Sequence, residues 1–246
     1  MFWTQVRPSD EADTRRNLNL VELPDTAMLE ASVMHVLNEG LGFRKSSERG
    51  ACMLGDGRHI PMMSYSLIEY VMGLDLTDCA LLELGGGYST DFWSRRVKSV
   101  LTLETDEQWA ASLKKLNLAN TEIRTVAVSA LADSVSKLDH SFDGIVIDPN
   151  SNRYRCAKAA LGRLKPGGFI ILDNSEWYPN TTALLRAADL IQVDFLDFRP
   201  LRWYRCASSI FLHSDFRAKP REARLPLPPI GGKDIAAVND WDAITD

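Results

Sequence analysis

The chain has 246 residues, of which 45% are hydrophobic and 25% charged, with a formal net charge of −5. That is ordinary globular usage, sufficient for one sizeable α/β domain with extra segments, and it excludes a chain disordered throughout. The acidic balance provides no broad electrostatic footprint for DNA or RNA, so no nucleic-acid partner is expected, and Arg95, Arg96 and Lys98 read as the solvated end of a helix.

Residues 1–8 carry no apolar signal core, and no apolar run is long enough to span a bilayer. A soluble, cytoplasmic protein without a membrane partner is therefore expected. The four cysteines, Cys52, Cys79, Cys156 and Cys206, are far apart in sequence and form no C-x-x-C pair. They read as reduced thiols packed as small hydrophobes.

In chain order, Met28, Leu29, Val33, Val36 and Leu37 recur at helical spacing between Asp25, a candidate cap, and Gly40, a candidate stop. A glycine-rich stretch over 50–57 leads through His59 to Ser64, a cap for a second helix bearing Leu67, Ile68, Val71 and Met72. His59 in this segment is a candidate base. The apolar strand 80–84 then runs into Gly85-Gly86-Gly87 and on to Ser89-Thr90, whose hydroxyls suit a helix start. Such a turn brings backbone close to a ligand and aims helix-opening amides at anionic groups. Nineteen residues after Gly85, the strand 100–103 ends in Glu104, where an acid can grip a ribose diol. The dinucleotide fingerprint would need glycine at Thr90, and it fails there.

Beyond Glu104 the chain alternates: helix over 106–118, extended 123–128, helix 133–138, then the strand 142–147 ending in Asp148. Repeated β-α units imply a parallel sheet with helices on both faces. Helices are expected over 154–165 and 181–189, with Pro166-Gly167-Gly168 turning the first into a strand that ends at Asp173. Strands 190–196 and 208–212 follow without an intervening helical pattern. Trp177, Tyr178, Trp203 and Tyr204 fall in expected loops, as candidate walls of an acceptor pocket. From Lys219 onward, four prolines and Gly231-Gly232 predict an extended or disordered tail that the fold does not need.

Glu83-x-Gly85-x-Gly87 followed by Ser89-Thr90 resembles motif I of the class I S-adenosylmethionine-dependent methyltransferases. The run 142–148 looks like that family's fourth strand with its terminal acid. Leu164-Lys165-Pro166-Gly167-Gly168 looks like its turn into the fifth. Phe92-Trp93, Asp173-Asn174-Ser175 and 208–212 resemble a largely uncharacterised bacterial subgroup.

The resemblance implies an α/β, Rossmann-like fold: a seven-stranded, mostly parallel sheet with an antiparallel last strand and helices on both faces. It divides the chain into an N-terminal helical addition (1–74), the methyltransferase domain (75–216) and the proline-rich tail (217–246). Within the addition, residues 58–65 would face the methyl donor as a lid. The implied cofactor is S-adenosyl-L-methionine, held by Glu83, Gly85, Gly86, Gly87, Ser89, Thr90, Glu104 and Asp148. Asp148 is also the candidate catalytic residue, and the implied partner is a small-molecule methyl acceptor, with O- and N-methylation both open.

Asp148, Asp173 and Asn174 further resemble the metal triad of catechol-type O-methyltransferases, which makes a divalent metal a second candidate cofactor. That family has a lysine three residues beyond the first aspartate, where this chain has Ser151. Asp148-Pro149-Asn150-Ser151 matches only part of the D-P-P-Y motif of amino-group methyltransferases. Two other readings share the glycine loop: an aminopropyl transferase of the spermidine synthase type, whose acidic catalytic loop Asp148-Pro149-Asn150 does not reproduce, and a non-catalytic S-adenosylmethionine-binding protein.

Overall fold

The computed structural model of the protein describes residues 25–232. Its centre is a seven-stranded sheet of β1 (Ala80–Leu84), β2 (Ser99–Glu104), β3 (Thr121–Thr125), β4 (Phe142–Ile147), β5 (Leu164–Asp173), β6 (Ile191–Arg199) and β7 (Arg202–Leu212), in the order β3-β2-β1-β4-β5-β7-β6. β1 to β5 pair in parallel, while β7 runs antiparallel between β5 and β6. This strand order, with the reversed final hairpin, is the Rossmann-like methyltransferase fold.

The central strands are near-continuous apolar runs because both faces of the sheet are covered. On one face Leu82, Leu84, Leu101, Leu103, Ile145 and Ile147 pack against α6 (Leu131–Ser136) and α7 (Arg153–Leu161). On the other, Leu81, Val100, Val146, Ile171 and Ile210 share one core with α4 (Tyr88–Ser94) and with the N-terminal residues Cys52, Leu54, Ile60, Met63, Tyr65, Leu67 and Val71. Residues 52–71 of the N-terminal addition are thus built into the core beside the sheet.

Several local expectations are corrected. α1 (Thr26–His35) is capped by Asp25, which accepts from the Met28 N–H at 2.8 Å, and runs into a π-turn at Val36–Gly40. Its apolar residues Met28 and Val33 are 58% and 65% exposed. An unforeseen helix, α2 (Phe43–Arg49), lies between two glycines in the left-handed region. Ser64 precedes α3 (Tyr65–Gly73) as foreseen, but its hydroxyl does not cap the helix; its N–H donates instead to Ser208 Oγ of β7. α5 (Glu107–Lys114) is four residues shorter at its C-terminus than expected, and β6 and β7 are longer, meeting across only Pro200 and Leu201. Trp203 and Tyr204 therefore belong to β7 and not to a loop.

Residues 219–232 of the tail are irregular in backbone, as their prolines require, yet they are fastened to α3. The Lys219 carbonyl accepts from the Asp75 N–H, the Arg221 N–H donates to the Gly73 carbonyl, and the Ile230 N–H donates to Glu69. Leu225 and Ile230 pack against the core, which ties this part of the tail to the fold. Residues 233–246 and 1–24 lie outside the described residues.

Candidate active site

The carboxyl ends of the parallel strands open on one side of the sheet, where ligands bind in open α/β folds. A cavity of about 690 Å³ lies there, within the range of small-molecule sites. Its walls come from the ends of β1, β2, β4, β5 and β6, the start of β7, and Gly50, Cys52 and Met62 of the N-terminal addition.

One end is the glycine loop. Gly85 has φ +87°, and a Cβ there would meet the Asp148 carbonyl oxygen at 2.5 Å, so only glycine allows β1 to turn against the end of β4. Glu104 faces this loop from β2 and is 6% exposed. Its Oε2 accepts from the Gly86 N–H at 2.6 Å, and its Oε1 accepts from the Thr105 and Asp106 N–H groups at 2.6 and 2.7 Å. The carboxylate is thereby fixed at the cavity wall by backbone donors, with a lone pair of Oε2 left for a further hydroxyl. Trp109 closes this end, its indole N–H donating to the Gly86 carbonyl at 2.8 Å.

Gly85, Gly86, Gly87, Ser89, Glu104 and Asp148 all border the cavity; Glu83 and Thr90 do not. Both are fully buried. Glu83 accepts from Ser89 Oγ (2.6 Å), Thr90 Oγ1 (2.6 Å) and Thr102 Oγ1 (2.8 Å), and Thr90 Oγ1 in turn accepts from the Gly87 N–H. The N-cap of α4 is Gly87; Thr90 serves the helix start as expected by accepting from the Gly87 N–H, Ser89 makes no capping bond, and both hydroxyls tie the glycine loop to the Glu83 carboxyl beneath the sheet's end. Glu83 is thus a support of the site, and burial pushes its pKa up to about 7.

At the other end four charges pair in a chain of contacts. Asp148 Oδ1 accepts from Arg153 Nη2 at 2.6 Å, and Asp173 accepts from Ser208 Oγ at 2.6 Å and Arg199 Nη1 at 3.2 Å. Arg153 also donates to the Asp173 backbone carbonyl. Arg153, Asp173 and Arg199 are buried, while the Asp148 side chain keeps 31% of its surface open. Burial raises the pKa of both aspartates above the usual carboxylate range, against the pull of the two guanidiniums. Arg153 lies 4.6 Å from the Tyr178 ring centre, and Arg199 lies 5.8 and 5.5 Å from those of Trp177 and Tyr204. Trp177, Tyr178 and Tyr204 border the cavity as anticipated, but Trp203 is 85% exposed and faces away.

This arrangement does not fit a resident divalent metal. Three of the four carboxylate oxygens of Asp148 and Asp173 are engaged by Arg153, Arg199 and Ser208, and only Asp148 Oδ2 is left open. The Asn174 amide, oriented to satisfy its neighbours, donates to Asp173 Oδ2 at 3.0 Å and accepts from Arg199 Nη1 at 2.8 Å. Two guanidiniums stand where a dication would have to sit, and like charges at that range repel strongly in a buried site. No group of three or more His, Cys, Asp or Glu side chains suited to a metal occurs among the described residues.

His59 is turned aside from the cavity: its Nδ1 pairs with Asp91 Oδ2 at 2.9 Å and its ring lies 5.1 Å from Tyr88. The cavity residues absent from the sequence reading are chiefly Arg153, Arg199 and Arg202. An arginine at the start of a helix or at a hairpin corner has no local signature, since what gives it a role is a carboxylate many residues away.

No helix of the described residues is long and apolar enough to cross a membrane. No family model matches the chain, and no curated protein matches it. Solved structures with a related backbone include a precorrin-6y C5,15-methyltransferase from Geobacter metallireducens, 14% identical, with a TM-score of 0.49 over 62% of this chain and 91% of the other. The O-methyltransferase TomG from Streptomyces achromogenes is 16% identical with a TM-score of 0.46, covering 83% and 88% of the two chains. Spermidine synthase from Thermotoga maritima is also 16% identical, with a TM-score of 0.47 over 63% and 61%. At this identity the likeness reaches the backbone alone, and the fold stands on the strand order and directions themselves.

Proposed function

We propose that the protein is an S-adenosyl-L-methionine-dependent methyltransferase acting on a small-molecule acceptor. The observation that carries this reading is the convergence of the glycine loop, Glu104 and Asp148 on one cavity at the carboxyl ends of β1, β2 and β4. Glu104, held by three backbone N–H groups, would accept from the ribose hydroxyls, and Gly85 to Gly87 would lie along the methionine part. The cofactor supplies a methyl group activated by a sulfonium, so the protein's work is alignment, exclusion of water and removal of the acceptor's proton.

On this reading Asp148 performs that last task. It stands at the end of β4 between the glycine loop and the aromatic end of the cavity, partly open, with Arg153 fixing one oxygen and leaving the other for an acceptor O–H or N–H. Arg153 thereby acts as a positioning residue. The two tyrosines and Trp177 would exclude water from the acceptor.

An aminopropyl transferase reading is disfavoured by charge: the acceptor of such an enzyme is a cationic amine, and the acceptor end here has three arginines against two aspartates. Calorimetry of the purified protein with S-adenosylhomocysteine, NAD and decarboxylated S-adenosylmethionine tests the proposal. S-adenosylhomocysteine is expected to bind at least tenfold tighter than either alternative. Equal or tighter binding of one of them would replace the reading with a dehydrogenase or an aminopropyl transferase.

A further inference from the structure

The charges at the acceptor end do not close. Asp148 is matched by Arg153 and Asp173 by Arg199, but Arg202 borders the same cavity and forms no ion pair among the described residues; its side chain donates only to the Leu201 carbonyl. Arg199 adds a second deficit. It is 5% exposed, its Nη1 donates to Asp173 at 3.2 Å and to the Asn174 amide oxygen at 2.8 Å, its Nη2 donates to Tyr204 Oη at 3.2 Å, and its Nε–H has no partner. Buried polar hydrogens without acceptors are rare in proteins because the cost of desolvating them goes unrecovered, and a guanidinium raises that cost. Arg199 lines the cavity, so a ligand's acceptor there would add to the incomplete set of partners around its guanidinium.

The surroundings specify what kind. Trp177 and Tyr204 lie beside the Arg199 guanidinium and restrict its orientation, so it is pre-set to bind rather than free to swing. Arg202 follows three residues later across the tight β6–β7 turn, where Leu201 takes a φ of 63°. A guanidinium fork matches the two coplanar oxygens of a carboxylate, and a second arginine supplies the counter-charge.

We propose that Arg199 and Arg202 form an oxyanion subsite that recognises a carboxylate on the acceptor, with the acceptor's reactive atom turned toward Asp148. The assignment of this ligand as a methyl acceptor rests on the methyltransferase reading; the anion subsite itself does not. A neutral catechol or a diamine would leave both arginine deficits unfilled.

The test uses the full chain with benzoate, 4-hydroxybenzoate, their neutral amides and phenyl phosphate, titrated by calorimetry with and without saturating S-adenosylhomocysteine. Each acid is expected to bind at least tenfold tighter than its amide, the scale of one charged hydrogen bond. Arg202→Gln, an exposed position that leaves the buried pairs intact, should reduce that preference about tenfold. Arg199→Lys, which keeps the charge facing Asp173 but lacks the fork, should do the same. Equal binding of acid and amide in both pairs overturns the subsite, and phenyl phosphate binding more than tenfold tighter than benzoate overturns its assignment to a carboxylate. Intact S-adenosylhomocysteine binding without an acid preference defeats the subsite alone. A retained acid preference without S-adenosylhomocysteine binding defeats the methyltransferase reading alone.

Discussion

At the glycine-loop end of the cavity, the carboxylate of Glu104 is satisfied by three backbone N–H groups contributed by residues next to it in sequence or by the adjoining loop. At the far end, Asp148 and Asp173 are satisfied by guanidiniums, which begin α7 and end β6. The first arrangement keeps its negative charge and offers it to neutral hydroxyls. The second cancels most of its charge internally and leaves a surplus that is positive. A single cavity thus presents a hydroxyl-accepting end and an anion-accepting end, separated by Asp148. The difference also affects stability, since backbone donors stay in place when a side chain is removed, whereas a buried ion pair that loses one member leaves a charge behind.

Asp173→Ala tests that contrast with the largest expected effect. It strands Arg199, buried and facing only Asn174 and Tyr204, and should cost about 3–5 kcal/mol in urea unfolding, the usual penalty for an uncompensated buried charge. S-adenosylhomocysteine affinity measured in the folded fraction should change little, because Asp173 touches nothing at the glycine-loop end. A loss below about 1 kcal/mol would show that the pair is not ionised in the folded protein.

Glu104→Ala probes the other end and should act on binding more than on folding. The three N–H groups it leaves lie at a cavity wall where water can replace the carboxylate, so the stability cost should stay near 1 kcal/mol. S-adenosylhomocysteine binding should weaken by about 10- to 100-fold, the scale of lost charged hydrogen bonds to the ribose. The acid-over-amide preference at Arg199 and Arg202 should be unchanged, and a matching loss there would show that the two ends are one site.

The same contrast explains what could be read from the chain. The glycine-loop end comes from one stretch, residues 83–109, in which an apolar strand, a glycine turn and a second strand ending in an acid follow one another with fixed spacing. A parallel sheet with helices on both faces followed from the alternation of apolar runs with helical patterns, whereas seven strands with an antiparallel last one were what the family resemblance implied. The acceptor end is assembled from residues near 50–62, 148–153, 173–178 and 199–204, and nothing local marks those pieces as neighbours. Asp148 and Asp173 were visible because each ends an apolar strand. Arg153, Arg199 and Arg202 were not, because an arginine acquires meaning only from the carboxylate or ligand it meets in space. The metal reading failed for that reason: it saw the oxygens and not the guanidiniums already bound to them. Glu83 is adjacent to the glycine loop in sequence but does not border the cavity, because the side-chain alternation of β1 sends it into the protein to hold Ser89, Thr90 and Thr102.

Glu83→Gln carries the smallest expected change at neutral pH and the most specific signature. Burial raises the Glu83 pKa from 4.5 to about 7, so the folded state holds a proton that the unfolded chain releases. Its contribution to stability is fully present below about pH 4.5 and is lost as pH rises through about 7. Glutamine keeps the shape and one oxygen acceptor for the threonine hydroxyls but cannot ionise. Near pH 7 the lost charged hydrogen bonds and the relieved buried charge should offset each other to within about 1 kcal/mol. The wild type should therefore lose stability relative to Glu83→Gln as pH is raised from 4.5 to 8, measured by urea unfolding at each pH. The aspartates of the acceptor end titrate in both proteins and cancel in that difference. Parallel pH curves would place the Glu83 carboxyl back in the normal range, as a carboxylate fully stabilised by its three hydroxyl donors.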